Sequence, residues 1–175
     1  IDLNREPAVV TIGAIKGGVR ENIIPDSVEM RGTIRSFDET MRDDIHARVT
    51  ELAEGISSAA RASCRVCITK NYPVTVNDPA LTAQMLPTLS RVANSGPRPM
   101  GLELVPKVTG AEDFSFFQRL IPGLFFFVGV TPPEIDPSQA YANHSPRFFA
   151  DERGLEVGVR ALASLAVDYL LSKAS

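Results

Sequence analysis

The 175-residue sequence has no tryptophan, two cysteines and two histidines. Each scarcity excludes something. Two cysteines cannot build the disulfide framework that holds many small secreted domains together. A catalytic zinc needs about three protein ligands, so a chain this poor in histidine is an unpromising host for a whole metal centre. No run of Lys and Arg exists to neutralise phosphates, and the formal net charge of −3 argues against a nucleic-acid surface. No apolar stretch approaches the ~20 residues of a membrane-spanning helix. The opening Ile1-Asp2-Leu3-Asn4-Arg5-Glu6 lacks the apolar core of a signal peptide. A cytoplasmic location is the expectation, and the missing initiator Met leaves the native start and export open.

What is present suffices for a real core: 44% of residues are hydrophobic and 22% charged, the balance of a globular protein of one domain or two small ones. Two blocks are visible. In the first, Ala8-Val9-Val10-Thr11-Ile12-Gly13-Ala14-Ile15 is rich in β-branched residues and reads as a strand. After Gly17-Gly18 and Asn22-Ile23-Ile24-Pro25-Asp26, the near-alternation of Val28-Glu29-Met30-Arg31-Gly32-Thr33-Ile34-Arg35 predicts a half-exposed strand. Asp38 is placed to cap a long helix with an apolar stripe of Met41, Ile45, Val49, Leu52, Ile56 and Ala59. His46 falls in mid-helix and is expected to be a surface histidine without a catalytic role. A third strand at 63–70 closes the block. It contains Cys64 and Cys67, but residues three apart on a strand face opposite ways, which disfavours a shared metal or redox pair.

The second block follows a connector at 72–77. Asp78-Pro79 combines an N-cap with proline at the first helical position, and the helix should stop at Asn94-Ser95-Gly96-Pro97. A loop or short strand near 104–108 leads to Gly110-Ala111-Glu112-Asp113-Phe114 and a short helix to Leu120. The run Leu124-Phe125-Phe126-Phe127-Val128, bounded by Gly123 and Gly129, predicts a buried central strand. A terminal helix carries Leu155, Val159, Leu162, Leu165, Ala166 and Tyr169 on one side. The fold expected is therefore α+β in two lobes, with the break between Lys70 and Asn77. Each block looks short of partners: a central strand needs neighbours on both edges.

Between the central strand and the last helix lies Tyr141-Ala142-Asn143-His144-Ser145-Pro146-Arg147. Loops beyond the carboxyl ends of such strands collect ligands in α/β proteins, so His144 is a candidate metal ligand. The alternative is a solvated loop histidine.

Taken in order, Ile15-Lys16-Gly17-Gly18, Asn22-Ile23-Ile24-Pro25-Asp26, Gly32-Thr33-Ile34-Arg35, Gly110-Ala111-Glu112-Asp113-Phe114 and Asn143-His144-Ser145-Pro146 resemble the M20 metallopeptidase and amidohydrolase family. The likeness is strongest to its branch of aminoacylases, hippurate hydrolases and auxin-conjugate hydrolases. The resemblance implies that residues 1–73 are the second half of a ferredoxin-like lid and dimerisation domain. It implies that residues 74–175 are the C-terminal part of an α/β zinc-peptidase-like catalytic domain. The remaining metal ligands and the glutamate general base would then lie upstream, and the chain would be a C-terminal portion that is inactive alone.

Residue by residue, His144 matches the family's last metal ligand. Glu112 matches a cleft residue that could orient a ligand, although an acidic first turn of a helix explains it too. Gly110 lets the backbone pass close to substrate. Asn22 matches a lid group that helps bind the scissile carbonyl, and Arg35 one that could grip a substrate carboxylate. Lys16 is expected to be solvated. The implied reaction is metal-dependent hydrolysis of N-acyl amino acids or similar small amides, with zinc or manganese, two ions in the intact enzyme. The implied assembly is a homodimer through the strand at 8–15. The competing reading is a non-catalytic dimerisation or interaction module.

Overall fold

The structure is a computed structural model describing residues 6–95 and 100–174. It divides into two compact units. The first comprises Ile1–Thr75 with Lys107–Phe117, and the second Val76–Pro106 with Gln118–Ser175.

In the first unit, β1 (Ala8–Gly17) and β2 (Val28–Ser36) form an antiparallel hairpin. Its register pairs Val10 with Ile34 and Ile12 with Gly32, and slips by one residue between Ile12 and Ala14. Gly13 is the extra residue of this bulge, and a bulge bends the strand and raises its twist. The strands leave no room for a side chain at Gly32: a Cβ there would lie 2.2 Å from the Thr11 carbonyl oxygen. The glycine is thus a steric requirement of the pairing.

Helix α1 (Glu39–Ala59) follows, started by Asp38, whose carboxylate accepts from the Met41 N–H at 2.7 Å. Met41 and Ile45 are buried, while Leu52 and Ile56 on the same stripe are exposed. Only the first half of the expected apolar face is covered, because the two-stranded hairpin is the only sheet among the described residues that the helix can rest on. Glu39 accepts from the Val74 N–H at 2.8 Å and Arg42 donates to the Tyr72 carbonyl at 2.8 Å, so the helix holds segment 72–74 by its first turn.

The expected strand at 63–70 is absent. No backbone ladder reaches it among the described residues, and without a partner a β-rich sequence is not a strand. Cys64 and Cys67 are both free and exposed.

His46 departs from expectation. It is half-buried, and its Nδ1 is enclosed without a hydrogen-bond partner among the described residues. Burial holds its imidazole below the ordinary value of 6.5, with Lys70 and Arg42 adding repulsion and Asp43 opposing them. The unfolded chain therefore takes up a proton that the folded chain resists. Stability should be unaffected by His46 above the ordinary value and should fall as pH drops below it. We expect a His46→Gln variant to lose less stability than the parent between about pH 7.5 and about pH 5.5, read as urea midpoints. Parallel losses in both proteins would remove His46 as the cause.

In the second unit, α2 (Pro79–Asn94) is capped by Asp78, which accepts from the Leu81 N–H at 2.7 Å. It ends at Ser95, while Gly96 and Pro97 lie outside the described residues. α2 packs on α4 (Arg153–Ala174), and Leu89, Val92 and Ala161 form the core with Leu124, Phe126, Val157 and Leu165 against it. Asp168 joins the two helices, accepting from Thr88 and Arg91 at 2.6 Å each. These two hydrogen bonds hold its carboxyl below the usual carboxylate range.

Two expectations fail here for the same reason. The run 124–130 forms no strand among the described residues, and its aromatic residues are half-buried or exposed rather than central. Nor is there a strand at 104–108 to flank it. In place of a neighbour strand, Asn77 pairs with Phe125 through both ends of its amide, accepting from the Phe125 N–H at 2.7 Å and donating to its carbonyl at 2.8 Å. Of the expected α4 stripe, Leu165 packs on the core while most of the rest is exposed. Gly154 and Ala161 face inward, because small residues let the helix approach Gly129 and Val130. Leu155, Val159 and Leu162 remain 60%, 68% and 63% exposed. No helix among the described residues is long and apolar enough to cross a membrane.

Candidate functional site

Four of the candidate residues belong to the first unit. Asn22 lies in the turn between β1 and β2, where the Ile23 N–H donates to the Arg20 carbonyl at 3.2 Å. The Asn22 side chain is exposed and makes no hydrogen bond to a described residue, so its amide is free for a ligand.

Arg35, near the end of β2, donates from Nη1 to the Thr109 carbonyl. That bond fastens the start of Gly110-Ala111-Glu112-Asp113 to the hairpin. Lys107 adds to the fastening, 5.8 Å over the Phe37 ring. Gly110 is exposed, with open space where a side chain would be.

Glu112 begins the short helix α3 (Phe114–Gln118). Its carboxylate accepts from the Phe114 N–H at 3.3 Å, and its carbonyl accepts from the Ser115 N–H at 3.3 Å and the Ser115 hydroxyl at 2.5 Å. The helix-start role foreseen as the alternative for this carboxylate is the one its hydrogen bonds serve. Asp113 beside it is exposed.

His144 belongs to the second unit. It is exposed, and its ring makes no hydrogen bond to a described residue. Its backbone is unusual: φ is 70°, one of two non-glycine residues with positive φ among the described residues. The Ser145 N–H donates to the Ala142 carbonyl at 3.1 Å, closing a β-turn with His144 in third position. Positive φ there marks a type II turn, which favours glycine or asparagine. A histidine in this place costs on the order of 1 kcal/mol. No core burial holds this exposed loop, and strain of this kind gathers at functional sites. The sequence offered no glycine to signal the turn, so this conformation was not legible beforehand.

An exposed imidazole with both nitrogens open fits one ligand of a divalent metal, and only one. No group of three or more His, Cys, Asp or Glu side chains comes together among the described residues. Among the described residues the chain offers single donors and no assembled metal centre.

The profile of peptidase family M20/M25/M40 matches residues 4–168. Thermostable carboxypeptidase 2 of Saccharolobus solfataricus is 37% identical over 165 residues, which is 94% of this chain and 40% of that protein. The IAA-amino acid hydrolase ILR1-like 2 of Arabidopsis thaliana is 35% identical over 172 residues, 95% of this chain and 37% of that enzyme. Among solved structures, the Bacillus subtilis YXEP protein, a dinuclear metal-binding peptidase of family M20, superposes with a TM-score of 0.74 at 28% identity. That match covers 91% of this chain and 41% of YXEP. The chain therefore spans about two fifths of the length of these relatives. The ordered motifs, the profile over nearly the whole length and the shared fold agree: the chain belongs to peptidase family M20/M25/M40.

Proposed function

We propose that this chain is the C-terminal portion of a metal-dependent hydrolase that cleaves the amide bond of N-acyl amino acids or similar small amides. The observation that carries the reading is His144, a free imidazole on a strained turn inside the family's Asn-His-Ser-Pro motif. In this reading His144 is one ligand of a divalent centre of zinc or manganese, two ions in the intact enzyme. The other ligands and the general base come from the upstream portion. Such an ion supplies Lewis acidity.

Residues 1–73 act as part of the lid and residues 74–175 as part of the catalytic domain. The Asn22 amide, open in its turn, serves the substrate carbonyl. Gly110 leaves room for substrate to approach. Arg35 holds the loop through Thr109 with one nitrogen and offers its remaining N–H groups to a substrate carboxylate. The Glu112 carboxylate serves the start of α3.

The free edge of β1 carries exposed Val10 and Ile12 and few charges, and an edge of that kind invites pairing. We assign it to a homodimer contact with the same strand of a second copy. Light scattering at micromolar concentration should give a dimer, and a monomer alone would count against it.

The catalytic reading is tested by joining the chain to the upstream portion of an M20 enzyme and assaying a panel of N-acetyl and N-benzoyl amino acids. Hydrolysis that a chelator stops is the expected result. A folded joined protein that cleaves none of the panel would overturn it.

A further inference from the structure

Two residues of the His144 loop lie outside every role assigned so far, and they touch each other. The Arg147 guanidinium donates from Nη1 to the Tyr141 hydroxyl at 2.9 Å, and its Cζ lies 5.5 Å over the centre of the Tyr141 ring. The two contacts use different parts of the tyrosine, a hydrogen bond at its tip and a cation–π contact on its face. Both side chains are exposed, so neither is held there by burial in a core.

The pair encloses the turn. Tyr141 stands one residue before Ala142, the first residue of the turn, and Arg147 two residues after Ser145, the last. Within the span, the Arg147 N–H donates to Ser145 Oγ at 3.2 Å and the Phe148 N–H to the Ser145 carbonyl at 3.0 Å. An exposed turn with a histidine at its positive-φ position would relax if its ends were free. A clamp across those ends keeps it closed.

We infer that Tyr141 and Arg147 form a staple that holds the His144 backbone in its left-handed conformation and so fixes the direction in which the imidazole is presented. This deepens the reading of His144 as a metal ligand and rests on it. Both are positioning residues, since they act through His144 and not on substrate. Groups that orient a metal ligand contribute to affinity without touching the ion.

Two readouts separate the staple from the ligand assignment. In the 175-residue chain, NMR should show an unusually strong amide-to-Hα cross-peak within His144, the signature of positive φ. Arg147→Leu should lose that strength. Arg147→Lys, which keeps a cation over the ring, should retain much of it, and Tyr141→Phe should fall between. Unchanged thermal midpoints would show that the fold is intact. In the joined enzyme, zinc affinity by chelator competition should fall about tenfold in Arg147→Leu and recover in Arg147→Lys. A cross-peak or a zinc affinity unchanged in Arg147→Leu would overturn the staple. Unchanged zinc affinity in a His144→Ala variant would instead overturn the ligand reading beneath it.

Discussion

Replacing His144 by alanine in the joined enzyme should lower amide hydrolysis by about a hundredfold or more, because even groups that merely orient a metal ligand contribute ten- to a hundredfold. The loss should come with depleted metal at constant protein fold, and excess zinc should restore part of the activity. His144 is exposed, its ring makes no hydrogen bond among the described residues and its backbone sits at φ 70°. An alanine there removes a donor and little else, so the change reports on chemistry and not on packing. Full activity and full metal content in His144→Ala would show that the imidazole is only a loop side chain.

The second large effect is on stability. Gly32→Ala should destabilise the first unit by roughly 3 kcal/mol, the range for overpacking against backbone that cannot yield. The added Cβ would meet the Thr11 carbonyl oxygen at 2.2 Å, with Ile12 Cδ1 at 3.0 Å behind it. The side chain of Ile12 can turn aside, but the carbonyl belongs to the paired strand. Relief would require opening the pair of Ile12 with Gly32, next to the bulge at Gly13. Gly13→Ala is the control: open space surrounds that position, and the effect should be far smaller. Urea denaturation of the two variants measures the difference. Equal midpoints would mean that the strands do not approach as closely as 2.2 Å implies.

The same residue shows how sequence motifs mix origins. Gly32-Thr33-Ile34-Arg35 helped to mark the family, yet its glycine serves strand pairing, and its arginine ties down Thr109.

Helix starts were legible because capping is local. Asp38 and Asp78-Pro79 need only the next three residues to do their work, and both cap as expected. The absence of strands at 63–70 and 124–130 was not legible, because a strand is a property of two segments and the sequence of one cannot show that the other is missing. Asn77, which stands in for a neighbour at Phe125, left no signal, since a lone asparagine in a connector looks like any turn residue. Amphipathicity misled in α4 for a related reason. Its large apolar residues suggested the inner face, but Gly154 and Ala161 permit the closer approach and share that face with Val157 and Leu165, leaving Leu155, Val159 and Leu162 exposed.

At the candidate site, type and position were readable for His144 through its motif. Its strained turn and the clamp of Tyr141 and Arg147 were not, because no glycine marked the turn and the clamp joins side chains six residues apart in a loop without periodicity.

In the reading proposed above, this chain supplies one donor to a metal centre completed by residues upstream. That reading is tested most directly by assaying one N-acyl amino acid, with zinc or manganese added, against the 175-residue chain alone and against the joined protein. The account predicts no useful turnover by the chain and chelator-sensitive turnover by the joined protein. Robust metal-dependent turnover by the chain alone would contradict it.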